Sequence, residues 1–424
     1  MPQKSNEAES EPPAGKAGGE LSYGWVVALV GSAIVMATNN FHYAAGVFLK
    51  PLISQFGWSR AAISGSVSTM SILTGVIGPF TGRLSDRYGP RKLIIIGVLL
   101  TGLGYLLSSH ISHLWQLYLF IGILFGIGGG FILTPLMATV SRWFGGRAAL
   151  ANGIVLSGFG VAQIIIPPVA TYIILQHSWQ TCFIILGIAA WGLGILGWSF
   201  IKNPPQNAVN PPPSGGDINQ ATNTPATDSY TLSESLRTRV FWILFLIQIV
   251  AAMCFQMMVV HVVAAAIDAD ITPEAAAIIL TLSGITAILG RLMLGGLASR
   301  IGNKIVLSLC LAIQAPVLFF LAGASDLHVF YITAAVYGLA YGGISPIVLA
   351  IGTSVFGTKS IGSILGTLQL SYTGGMAIGP LLAGYIFDVT GSYYAAFLSA
   401  AAATAMAFLL SLLLKRPKEK ALVA

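Results

Sequence analysis

GRLSDRYGPRKL, residues 82–93, is answered 213 residues later by GGLASRIGNKIV, residues 295–306. The same offset pairs Gly153 with Gly366, Pro167 with Pro380 and Tyr172 with Tyr385, while offsets of 211 to 214 pair Pro135 with Pro346, Phe144 with Phe356 and Phe183 with Phe397. A chain that repeats itself at a fixed offset is built from two copies of one unit. Outward from these two loops, runs apolar enough to cross about 30 Å of hydrocarbon fall near 24–48, 61–81, 93–109, 114–140, 149–175 and 179–201, then 240–267, 274–297, 305–322, 328–353, 361–387 and 393–414. Each repeat therefore holds six runs.

A 424-residue chain that is 55% hydrophobic and 8% charged, with mean hydropathy +0.81, has too few charges to cover a soluble surface. The expectation is an all-α membrane protein with twelve transmembrane helices in two pseudo-symmetric six-helix halves. Residues 1–22 read as a polar cytoplasmic tail and 23–202 as the N-terminal half. Residues 203–238, rich in Pro, Asn, Thr and Ser, read as a cytoplasmic linker, 239–415 as the C-terminal half and 416–424 as a second tail. No apolar run precedes a small-residue site in the first 22 residues, so the first span is expected to direct insertion itself. Parallel repeats of this kind place a substrate site near the bilayer midplane, between the halves.

The net charge of +7 would suit nucleic acid, but its distribution encodes topology instead. Of the 21 Lys and Arg residues, 18 fall in the tails and in alternate loops, which puts both termini and the linker on the cytoplasmic side of a cell membrane. Cys182, Cys254 and Cys310 lie in apolar runs at irregular spacing, a pattern that argues against a disulfide framework or a metal site. No Gly-x-x-x-x-Gly-Lys-Ser/Thr loop is present for ATP hydrolysis, and no charged cluster suggests an enzyme. No cofactor is expected.

Three basic residues lie outside those loops: Lys50, Arg60 and Arg291. If the helix around Arg291 runs from Pro273 to the Gly295–Gly296 pair, Arg291 sits about 4 residues, roughly 6 Å, inside its cytoplasmic end. Its neighbours at helical spacing, Ala287, Ile288, Leu292 and Met293, supply no acid. An arginine near the bilayer centre costs roughly 2.5 to 3.5 kcal/mol, so it normally faces a bundle interior or watery cavity and marks a site. The competing reading is a side chain that snorkels to the interface.

Other polar side chains in apolar spans must find a partner or line a cavity. Span one offers Asn39, Asn40, His42 and Tyr43; span four offers Tyr118 and Thr134; span five offers Asn152 and Gln163. In span ten Tyr337, Tyr341 and Ser345 recur every four residues and share a face, and span eleven holds Gln369 and Tyr372. In span seven His261 and Asp268, seven residues apart, share a face near the outer end, where a histidine beside a carboxylate would make a proton acceptor open to the outside. The glycines crowding spans four, five, ten and eleven read as close helix packing.

The loop from Gly82 to Lys92 resembles the signature loop of the major facilitator superfamily. Within it, RAALANGIVLSGFG at 147–160, GVFLKPLISQFGWSRAAIS at 46–64 and Arg291 resemble the monocarboxylate transporters and the neighbouring oxalate/formate exchangers. The resemblance implies that the 82–92 loop, with Asp86, Arg87 and Arg91, acts as a conformational latch on the cytoplasmic face. It implies a secondary transporter of small monocarboxylates such as lactate or pyruvate, proton-coupled and working as a monomer, with Arg291 as the carboxylate ligand. The candidate partners in that site are Tyr337, Tyr341, Tyr372, Gln369, Asn39, His42, Tyr43 and Tyr118. Two departures stand out. Where family members carry an acid one turn before the arginine, this chain has Ala287, and span one has no lysine; where the exchangers carry a lysine on the eleventh helix, Tyr372 falls close by. A single intramembrane cation favours a singly charged substrate. Carboxylate exchange, a channel and a transport-fold sensor are the rival readings.

Overall fold

A computed structural model describes residues 15–144, 148–202, 230–357 and 360–414; the two tails beyond them, most of the linker and the side chain of Asp86 lie outside the described residues. The first half comprises α1 (Gly15–Thr38), α2 (Phe41–Phe56), α3 (Arg60–Tyr88), α4 (Pro90–Ser108), α5 (Leu114–Leu117) running through a π-helical stretch (Tyr118–Phe125) into α6 (Gly126–Phe144), α7 (Ala148–Gln176) and α8 (Trp179–Phe200). After the short α9 (Leu232–Ser235), the second half comprises α10 (Arg239–Asp268), α11 (Pro273–Ile301), α12 (Asn303–Ala322), α13 (Leu327–Phe356), α14 (Ile361–Thr390) and α15 (Tyr394–Leu412). Counting α1–α2 and α5–α6 as one span each gives twelve among the described residues. Eleven of these are long and apolar enough to cross a membrane. The twelfth, α14, is 30 residues long but is diluted by Gln369, Ser371, Tyr372 and Thr373.

Local chemistry sets the ends. Ser59, Thr238 and Thr272 each cap the helix that follows by accepting a bond from a first-turn amide. The end of the expected linker is folded: Thr231 and Glu234 form a capping box on α9, and the Tyr230 amide donates to the Phe356 carbonyl at 2.9 Å. The Gly295–Gly296 pair does not stop α11, which runs on to Ile301. Arg291 therefore lies 10 residues, about 15 Å, inside the helix end rather than about 6 Å.

All the long helices run between two faces. One, called here the basic face, carries Arg83, Arg87, Arg142, Lys202, Arg239, Arg300 and Lys304 at its helix ends; the other is the opposite face. Packing differs sharply between them. Toward the opposite face one apolar core crosses both halves, running from Phe41, Phe48 and Phe183 to Met258, Tyr341 and Phe397. Toward the basic face the core divides into two: Val27, Ile132 and Val155 in the first half, Phe241, Val348 and Phe356 in the second. The halves are thus joined at the opposite face and parted at the basic face.

Most glycines of the crowded spans do sit in helix contacts, but Gly153, Gly366 and Gly374 have open space where a side chain would be. The packing reading fails for these three. Two of them, Gly153 and Gly366, are repeat-related and lie on the basic-face side, where the cores have separated.

Candidate functional site

Arg291 is exposed despite its depth, and among the described residues it makes neither a hydrogen bond nor an ion pair. The space it opens on lies between the halves: a Cβ on Gly160 of α7 would come 3.9 Å from its Nη1, and it lies within electrostatic reach of the phenols of Tyr43 on α2 and Tyr372 on α14. The Tyr372 hydroxyl bonds that of Tyr341 at 3.1 Å. Tyr341 is stacked flat on Phe255, ring centroids 3.8 Å apart, with Tyr337 parallel behind it at 6.2 Å. Tyr337 is fully buried with its hydroxyl unpartnered, so the aromatic stack keeps one donor in reserve. The structure thus brings together Arg291, Tyr43, Tyr372, Tyr341 and Tyr337 from four helices.

The other candidates fall around this group rather than in it. His42 is buried against Gln256 of the other half, Nδ1 to Nε2 3.4 Å. Asn39 bonds its neighbour Thr38, and Asn40 accepts from Tyr105. These side chains serve the break between α1 and α2. Tyr118 directs its hydroxyl at Gly65 of α3, and Gln369 is exposed one turn toward the basic face from Tyr372. Arg87 lies over the ring of Tyr88 and Arg91 over that of Trp198.

His261 and Asp268 do not meet, contrary to the expectation of a histidine beside a carboxylate open to the outside. His261 is fully buried: Nδ1 accepts from the Tyr393 hydroxyl at 2.9 Å, and Nε2 donates to the Pro380 carbonyl at 2.9 Å. Asp268 instead holds two cations of the first half, Lys50 and Arg60, the latter at 2.7 Å. The helical period places seven-apart residues on one face, but Tyr393 and Arg60 from other helices fill the gap between them.

Sequence reasoning passed over Arg60. It caps nothing itself; its guanidinium crosses into the second half, 3.5 Å from the centroid of Phe387, and donates to Tyr393 at 2.6 Å as well as to Asp268. Burial pushes the Tyr393 phenol up, so it stays a hydroxyl that accepts from Arg60 and donates to His261. Beside it, Asp388 accepts from the backbone of Arg60 and Ala61. Nothing in the sequence near Arg60 announces these partners, which lie more than 200 residues away. The available signal was a carboxylate, Asp388, in the last turn of a helix, where the dipole disfavours it.

Two six-helix repeats, parted at one face and holding Arg291 about 15 Å inside its helix, are matched by a family comparison spanning residues 27–269 and 261–424. The chain belongs to the Major Facilitator Superfamily. Relatives within the superfamily include monocarboxylate transporters. Monocarboxylate transporter 13 of Bos taurus is 27% identical over 400 residues, covering 93% of this chain and 88% of the relative. Monocarboxylate transporter 12 of Mus musculus is 26% identical, covering 89% and 82%, and monocarboxylate transporter 11 of Homo sapiens is 26% identical, covering 91% and 81%. Among solved structures, a mutant of the nucleoside transporter NupG superposes with a TM-score of 0.72 at 12% identity, covering 93% of this chain and 99% of that one; at that identity the likeness speaks for the fold alone.

Proposed function

We propose that this transporter carries small monocarboxylates of the lactate and pyruvate kind across a cell membrane by alternating access, as a monomer, with a proton moving in the same direction. In this reading the basic face is cytoplasmic and the conformation described is open to the cytoplasm. The observation that carries it is Arg291: a guanidinium about 15 Å inside its helix, exposed between the halves, with no acid among the described residues paired to it and tyrosine hydroxyls around it. A carboxylate bound there bidentately satisfies both charges, and the phenols supply donors to its outer lone pairs. The names of the relatives support the same substrate class.

Energetics favour the proton. Moving one anion inward against 100 mV costs about 2.3 kcal/mol, and one accompanying proton cancels that cost. His261 is the acceptor in this reading, reached from outside only once Tyr393 and Arg60 move away as the opposite face opens; Asp268 holds Arg60 in the closed state. The burial of His261 and the pairing of Asp268 favour one second reading, exchange of carboxylates, in which no protein group takes a proton. Calorimetry of lactate binding to purified Arg291→Gln tests the site: affinity equal to wild type removes Arg291 from it. Uptake into proteoliposomes driven by a pH gradient alone separates symport, which accumulates lactate, from exchange, which does not.

A further inference from the structure

Two buried histidines lie along one seam between the halves, where α2 packs on α10, and only one of them is fully bonded. A Cβ on Gly46 of α2 would come 2.6 Å from the Val260 carbonyl oxygen, so the two backbones nearly touch there. His261, next to Val260, has both nitrogens occupied. His42, one turn before Gly46, does not. The Gln256 amide donates through Nε2 to its Nδ1 at 3.4 Å, which puts the ring proton of the neutral form on the other nitrogen. That nitrogen, the His42 Nε2, has no partner among the described residues, yet it is not sealed in protein; a side chain only 9% exposed can still meet water there. Gln256 shows the reverse: its Oε1 is buried and unpartnered. A buried amide oxygen without a donor costs about 1 to 3 kcal/mol and calls for a reason.

Charge around His42 is sparse. Its helix packs on α3, α7 and α10. On these, Arg60, Tyr172 and Asp268 lie toward the opposite-face ends, and Arg83, Asp86, Arg87, Tyr88 and Arg239 toward the basic-face ends. Between them stand only Cys254, bonded to the Ala400 carbonyl on α15, and His261. On α2 itself Lys50 is held by Asp268, while Tyr43, the residue after His42, lies within electrostatic reach of Arg291.

From this we infer that His42 is a second proton site, the one that gives the proton up toward the basic face. In the loaded form the Gln256 amide has turned over, and Nδ1–H donates to Oε1 in a charge-assisted bond that satisfies the orphaned oxygen. Release goes through Nε2, the nitrogen that meets water, and leaves Nδ1–H still held on Oε1. One proton is bound and one released, with no other group changing its charge. Two neighbouring cations repel, so an imidazolium at His42 and a bare guanidinium at Arg291 oppose each other, and a carboxylate on Arg291 removes the conflict. Proton and carboxylate therefore bind together, and by linkage each tightens the other. The inference rests on the proposed symport and extends it: His261 takes the proton from outside, and His42, bonded to α10 five residues or about 7.5 Å nearer the basic face, passes it on.

Calorimetry of lactate binding to the full-length protein, in buffers of different ionisation enthalpy, counts the protons taken up per lactate bound. Wild type takes up close to one, and binds lactate about threefold to tenfold tighter per pH unit between about pH 8 and 6, across which lactate stays an anion. In His42→Gln both effects vanish. In His261→Asn, whose target is sealed in this conformation, both persist. Gln256→Met removes the acceptor of the loaded form and moves the pH dependence about one pH unit lower, the size of one lost bond to a charged group, which a purely structural amide would not do. That variant decides the matter where His42→Gln does not fold. Proton uptake that survives in His42→Gln, or that is lost in His261→Asn instead, overturns the site, as does a pH dependence unmoved by Gln256→Met. Wild-type protein that binds no lactate, or binds it without a proton, sinks the symport reading and the site with it, an outcome seen before any variant is made.

Discussion

The two halves share a set of packing positions and surround them with different chemistry. Pro135 and Pro346 both lie inside helices, Phe144 and Phe356 are both buried final residues of a span, and Tyr172 and Tyr385 are both exposed on the outer surface. The polar groups do not match. Arg291 stands where the first half has Gly78, and at the 211-residue offset Tyr337 and Tyr341 stand where it has Gly126 and Gly130. Those glycines let α6 pack against α3, while Tyr341 bonds Tyr372 and Tyr337 stacks behind it. Packing constrains both copies equally, so it survives duplication; the charge at this position belongs to one copy only.

The sharpest way to break this contrast is to move the charge. Arg291→Gln should reduce lactate transport about thirtyfold or more, since removing one partner of a desolvated charge pair costs roughly 2 to 5 kcal/mol; adding Gly78→Arg to it should restore nothing. Recovery of uptake in that double variant, measured with labelled lactate, would mean that the halves are chemically interchangeable. Arg291→Lys should fall between, keeping charge but losing the planar fork.

Next in size is the tyrosine cluster. Tyr341→Phe removes the bond to Tyr372 and should weaken lactate binding by about threefold to tenfold, as expected for one hydrogen bond, without lowering the melting temperature of the empty protein. Tyr372→Lys puts a second cation in the same half and should turn preference toward dicarboxylates in competition assays. Replacing His261 and Asp268 together should leave exchange of labelled substrate within about twofold while abolishing accumulation driven by a pH gradient; if the gradient still drives uptake, the proton travels elsewhere. The smallest effect belongs to the first half: Asp86→Asn should raise labelling of a basic-face cysteine about twofold to fivefold with substrate affinity unchanged, the range set by weakening one dipole-facing charge.

The spans were legible because hydropathy and an internal repeat point to the same boundaries. The exposure of Arg291 between the halves was legible because an unpaired charge in an apolar helix is too costly to keep unless a ligand or a watery cavity meets it. Its depth was not. A glycine pair reads as a helix stop, yet Gly295 and Gly296 stay helical, since an α-helix flanked by lipid and other helices has no better way to satisfy their backbone groups. Nor was the closure at the opposite face readable: Arg60 sits at the start of a helix, where a cation looks interfacial, and what buries it comes from Asp268, Phe387 and Tyr393 in the other repeat. The spacing of His261 and Asp268 carried no hint of the side chains that separate them.

The seam between α11 and α13 affects how any mutational map of this protein must be read. A Cβ on Gly290 would lie 2.0 Å from the Leu339 carbonyl oxygen, one on Gly342 2.1 Å from that of Ala287, and one on Gly338 2.3 Å from that of Ser283. The two helices that carry Arg291 and Tyr341 are therefore fused into one beam, and a single added methyl would pry it apart at a cost of about 1 to 3 kcal/mol. An alanine scan would score these glycines as essential and place them in the binding site on that basis, although no ligand need touch them. Only by weighing loss of transport against loss of folded protein, position by position, will such a scan separate the residues that hold the substrate from those that hold the residues that hold it.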